Sequence, residues 1–177
     1  MKPPRPIVVT GFMGCGKSKV ARELARRRNA VMVDLDDWIT AREGRSPAQL
    51  ITEDGERVFR TIESKALREL LQRGGADVIA LGGGAWIEGT NRKLIDRYRC
   101  ISVWLDVPFE VCWERIVTAG EDRPLGRTRD QAEALYHQRL PVYELARVHI
   151  KVGPEEILPD LVSRIESQLA DPSVLSE

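Results

Sequence analysis

The sequence predicts an α/β protein in three layers, with a five-stranded parallel sheet between helices. Three observations carry that reading. Five short β-branched runs, "IVVT" at 7–10, "VMVD" at 31–34, "VIAL" at 78–81, "ISVWL" at 101–105 and "VHIKV" at 148–152, read as buried strands. Segments with apolar residues every three or four positions separate them, so strand and helix alternate as in a doubly wound sheet. The first strand runs directly into "TGFMGCGKSKV", three glycines and a lysine placed before a helical pattern.

The helical segments follow in order. "KSKVARELARRR" follows the glycine turn, "DGERVFRTIESKALRELLQR" precedes the third strand, and "TNRKLIDRY" precedes the fourth. "VPFEVCWERIV" and "RDQAEALYHQRL" lie before the fifth. Two stretches break the alternation: 35–56, containing "REGRSPAQL", and 118–130, "TAGEDRPLGRTRD", which is polar and without periodicity. Both read as functional insertions rather than linkers. The tail after Ala170 reads as frayed.

Composition narrows the class. The 177 residues suit a single domain spanning 1–177. Lys plus Arg equals Asp plus Glu at 27 each, which argues against a nucleic-acid partner and for a small one. The three cysteines, 15, 100 and 112, lack metal-ligand spacing and fit a reducing compartment. The opening "MKPPRP" holds no apolar signal core, and no window approaches the roughly 20 apolar residues of a membrane span. A soluble, cytoplasmic monomer with no membrane partner is expected.

"GFMGCGKS", Gly11 to Ser18, matches the phosphate-loop pattern G-x-x-x-x-G-K-[ST] between a strand and a helix. Backbone N–H groups freed by Gly11, Gly14 and Gly16, with the helix N-terminus behind them, cradle a phosphate there. Lys17 supplies charge to the β/γ oxygens and Ser18 a hydroxyl to Mg²⁺; Cys15 and Lys19 complete the nucleotide-binding stretch. Downstream, at the end of the second strand, "VDLDDW" sets Asp34 and Asp36 two apart and so on one face. One carboxylate then serves the magnesium and the other the attacking hydroxyl. Asp37 is assigned to cap the helix starting near Trp38.

Further candidates concern the acceptor. Arg60 and Glu63, three apart on a helix, suit an anion grip in which the Glu orients the Arg. "LGGGAW" at 81–86 puts Gly82, Gly83 and Gly84 after the third strand, where backbone approaches a ligand closely. Arg139 stands near a helix end broken by Pro141.

Together these motifs resemble the shikimate kinase family. Over Gly11 to about Pro154 they run phosphate loop, "DLD", "GRS", "DGERVFRTIE", "LGGGA", "RPL" and "RLPVY", in the family's order. The resemblance implies a nucleoside-monophosphate-kinase-like P-loop fold, with an acceptor-binding insertion at about 35–62 and a mobile lid at about 118–130. It implies transfer of the ATP γ-phosphate to the 3-hydroxyl of shikimate, on the route to chorismate and aromatic amino acids, with Mg²⁺. By this likeness Asp36 contacts the ring hydroxyls and promotes attack, and Asp34 organises Mg²⁺ through water. Arg60 and Arg139 hold the carboxylate, Gly83 meets substrate through its backbone, and Arg123 is the lid arginine over the phosphates.

The chain departs from the family pattern at Ile51, where a pocket phenylalanine is common, and at Gly126, where a leucine is usual. "KVGPEEI" lacks an arginine often found beside the adenine. The alternatives are another small-molecule kinase such as a gluconate kinase, which would not need Arg60 and Arg139 with "LGGGA", or a non-catalytic nucleotide-binding module.

Overall fold

The structure, a computed structural model, describes residues 5–120 and 124–175. Five strands form one all-parallel sheet in the order β2-β3-β1-β4-β5: β1 (Ile7–Thr10), β2 (Met32–Asp34), β3 (Val78–Ala80), β4 (Ile101–Asp106) and β5 (Val148–Lys151). The expected runs are all present, differing only at their ends. β1 and β3 are buried at every position, and β4 at every position but Asp106, which is why these stretches read as continuous apolar runs.

Strand order reverses at β1, which pairs with β3 on one side and β4 on the other. Crevices beyond the carboxyl ends of strands at such a point are where open α/β sheets bind ligands. The turns after β1, β2 and β3 all emerge at that edge, and they carry the candidate residues.

The helices that cover the sheet begin with α1 (Lys17–Arg28) and α4 (Glu56–Arg73), followed by α5 (Gly89–Arg97), α6 (Phe109–Ala119) and α7 (Arg129–Tyr143). The stretch 35–56 is not irregular: it folds as α2 (Leu35–Glu43) and α3 (Pro47–Asp54). Ser46 and Gln49 form a capping box and Pro47 opens α3, a start signal worth about 1 kcal/mol in so short a helix. Thr128 and Gln131 make the same box at the start of α7, so Arg129 and Asp130 belong to a helix, while Thr118 and Ala119 end α6.

Pro141 does not break α7, which continues to Tyr143. Two bonds to a neighbouring segment hold the last turn: Trp86 Nε1 donates to Val142 O at 2.8 Å, and the fully buried Tyr143 donates its hydroxyl to Gly83 O at 2.6 Å. The strand–helix alternation also leaves out α8 (Leu158–Leu169). Its buried Leu161, Val162, Ile165 and Leu169 recur at three- and four-residue steps. It packs on α1, where Arg27 bonds Pro159 O and Ser163 Oγ, both at 2.9 Å. The tail beyond it is not frayed throughout, because Pro172–Leu175 form a helical turn, α9. Among the described residues no helix is long and apolar enough to cross a membrane.

Candidate active site

The turn from β1 into α1 is built by glycine. Gly14 at φ 76° and Gly16 at φ 95° adopt left-handed conformations that a side chain disfavours, and Gly16 caps α1 without a side-chain acceptor. No acid occupies the first turn of α1, so its N–H groups remain available to an anion. Lys17, 8% exposed, folds back across the turn and donates to Gly11 O at 3.0 Å and Phe12 O at 2.9 Å. Its charge therefore sits inside the loop. Cys15 is buried with Sγ 3.8 Å from Lys17 Nζ, and Lys19 points to solvent. Burial pushes the Cys100 and Cys112 thiols up to about 12, so both are unreactive core residues.

The strand reading of the two aspartates needs correction. β2 ends at Asp34, and Asp36 lies in the first turn of α2. The helix cap is Asp34, not Asp37: Asp34 Oδ1 accepts from the N–H of Asp36 at 3.0 Å and of Asp37 at 3.5 Å. The extended backbone of Asp34, at ψ 123°, is what a cap requires, whereas Asp37 is already helical. The second oxygen of Asp34 accepts from Ser18 Oγ at 2.5 Å. A hydroxyl and a carboxylate thus meet beside the phosphate loop, an all-oxygen donor pair that fits a hard cation such as Mg²⁺. No group of three or more His, Cys, Asp or Glu residues forms a metal cage among the described residues, so other ligands would have to be phosphate oxygens and water.

A cavity of about 670 Å³ opens beside this turn, lined by Asp36, Arg60, Glu63, Arg139 and the three glycines 82–84. Arg139 is not a solvated surface arginine: it is 7% exposed and its Nη1 donates to Gly83 O at 3.3 Å. Arg60 Nη1 donates to Glu63 Oε2 at 2.7 Å, while its Nε and Nη2 donate to Glu56 Oε1 at 3.3 and 3.1 Å. Glu63 has no exposed surface, and burial pushes its carboxyl up to about 7 despite Arg60, with Asp36 adding to the rise.

Each outer glycine of the triplet makes room for these groups. A Cβ on Gly82 would lie 2.7 Å from Asp36 Oδ1 and 3.0 Å from Glu63 Oε1, and one on Gly84 would overlap the Arg60 guanidinium. At Gly82 and Gly84 the chain's own charged side chains take up that room, and all three glycines line the cavity.

The structure brings together Asp36, Arg60, Glu63, Gly82, Gly83, Gly84 and Arg139 around one cavity, and Ser18 and Asp34 at its neighbour. Arg123 lies outside the described residues, as do 121 and 122 of the expected lid. Ile51 lines the cavity. Gly126 is buried; a Cβ there would lie 2.6 Å from Met13 Cε and 3.4 Å from Ala132 Cβ. Met13, Pro124, Leu125 and Leu135 supply an apolar wall that sequence reasoning does not single out, Met13 because it fills a variable loop position. Arg115 reaches the same loop, its Nη1 approaching Gly14 O and Cys15 O at 3.4 Å.

The family model for shikimate kinase matches residues 13–170. A shikimate kinase of Cereibacter sphaeroides is 38% identical over 175 residues, covering 97% of this chain and 86% of that one. The solved shikimate kinase of Acinetobacter baumannii, in complex with shikimate, superposes with a TM-score of 0.85 at 31% identity, over 93% of this chain and 92% of that one. A gluconokinase of Sinorhizobium meliloti aligns at 18% identity with a TM-score of 0.56, a likeness of fold alone.

Proposed function

This chain belongs to the shikimate kinase family, and from that premise we propose that it transfers the γ-phosphoryl group of MgATP to the 3-hydroxyl of shikimate. The observation that supports this best is the cavity in which two arginines from different helices, Arg60 and Arg139, face the carboxylates of Asp36 and Glu63. Two guanidinium groups, Arg139 buried and Arg60 partly so, suit a substrate carboxylate, each charged hydrogen bond contributing about 1.5–3 kcal/mol.

Phosphoryl transfer asks the protein chiefly for positioning and charge. The N–H groups of the glycine turn and α1 hold the β-phosphate, and Lys17 leaves its loop carbonyls to meet the β/γ oxygens. Ser18 offers its hydroxyl, and Asp34 its carboxylate through water, to the cation. Mg²⁺ held there would supply positive charge to the phosphates. Asp36 accepts the proton of the attacking hydroxyl. Met13, Leu125 and Leu135 cover the apolar ring face, and Arg123 is assigned to the transferring phosphate.

Gluconate also carries a carboxylate, so the arginines alone do not separate the two acceptors. Shape does. An open-chain acid loses about 0.5–1.5 kcal/mol for each flexible portion it freezes, while the shikimate ring is already rigid. ADP release at saturating MgATP is expected with shikimate, at a kcat/KM at least about 100-fold above that for gluconate. Comparable rates with both acids would overturn the assignment.

A further inference from the structure

Resting on that reading, we propose that Glu63 takes up a proton when shikimate binds, so that the pocket admits the substrate carboxylate without a net gain of negative charge.

Among the described residues, the charged groups that face Glu63 come from three elements: Arg60 on its own helix α4, Asp36 on α2, and Arg139 on α7. Glu56 sits on the far side of Arg60 and is half exposed, with 47% of its side chain open to water. A substrate carboxylate held by Arg60 and Arg139 adds a further negative charge beside the buried Glu63.

Glu63 is the group built to absorb that charge. It has no exposed surface, so its anion costs most to keep, whereas Asp36 is only partly buried. Oε2 accepts from Arg60 at 2.7 Å, but Oε1 accepts no hydrogen bond from any described residue and can carry the proton. The carboxyl already stands near 7 in the free protein, so a further negative charge moves it through neutral pH. The proton comes from solvent and goes to Oε1. Glu63 is thus a positioning residue with a second duty, matching the charge of the pocket to an anionic acceptor.

The sign follows. A group whose pKa rises on binding draws in a proton, and affinity falls as pH climbs above the free-state value. With a free value near 7, uptake is about half a proton at pH 7 and approaches one at pH 8, and shikimate affinity drops on the order of fivefold between them.

Shikimate titrated calorimetrically into the intact protein, in buffers of low and high ionisation enthalpy at pH 7 and pH 8, reads this directly. Buffer-dependent heats corresponding to uptake, lost in Glu63→Gln, are expected. Saturable binding with buffer-independent heats overturns the role of Glu63, as does undiminished uptake in the Gln variant. No saturable heat at all overturns the acceptor reading itself. Should Glu63→Gln fail to fold, the infrared carbonyl stretch of a buried carboxylic acid must appear on adding shikimate at pH 8, and its absence overturns the proposal.

Discussion

Lys17→Ala is expected to lower kcat by at least about 100-fold while shikimate binding survives. Lys17 is anchored by the start of α1, and its ammonium is held within 3.0 Å of two loop carbonyls in a nearly buried position. Ligand phosphates replace those carbonyls, and the interaction strengthens as charge develops on the transferring group. Alanine removes that charge and takes the side-chain donor from the buried Gly11 O and Phe12 O, a stability cost of about 1–3 kcal/mol that thermal unfolding reads separately from kcat. Steady-state kinetics with calorimetry separates the two effects. Turnover within tenfold of the parent at saturating MgATP would show that the loop does not hold the reacting phosphates.

Asp36→Asn is expected to cost about 10²–10⁴-fold in kcat with little change in the KM for ATP, because the amide keeps the shape but cannot take the proton of the attacking hydroxyl. The position makes the substitution structurally mild. Asp36 sits in the first turn of α2, where its charge adds about 0.3–1 kcal/mol through the helix dipole, and Asp34 remains as the cap. Thermal unfolding should therefore shift by a few degrees at most. A variant that keeps its rate would move the acceptor base elsewhere in the cavity.

How much of this was legible from residues alone differs by element. The strands were readable because parallel strands buried on both faces leave continuous apolar runs, and "IVVT" and "ISVWL" show them. The phosphate loop was readable because its glycines are demanded by local backbone geometry. Asp34 and Asp36 were misplaced by one structural step: the strand stops where Asp34 turns its carboxylate onto the following N–H groups, and nothing in "VDLDDW" ranks three adjacent aspartates as caps. Arg139 was legible as a carboxylate ligand, but its helix was expected to break at Pro141, since the bonds from Trp86 and Tyr143 that carry α7 past Pro141 join positions 56 and 60 residues apart. The reason for the glycine triplet was equally invisible, because it lies in side chains arriving from α2 and α4.

The central claim is that Arg60 and Arg139 read a carboxylate, and the comparison of shikimate with its neutral amide tests it most directly. Replacing the fork of Arg60 by Lys keeps the charge but loses the planar geometry, so KM for shikimate should rise about tenfold or more with ATP affinity nearly unchanged. The amide should be a correspondingly poor substrate of the parent enzyme, and Arg60→Lys should lose less on the amide than on the acid. Amide phosphorylated as efficiently as shikimate, or an Arg60→Lys variant with unaltered KM for the acid, would contradict the account.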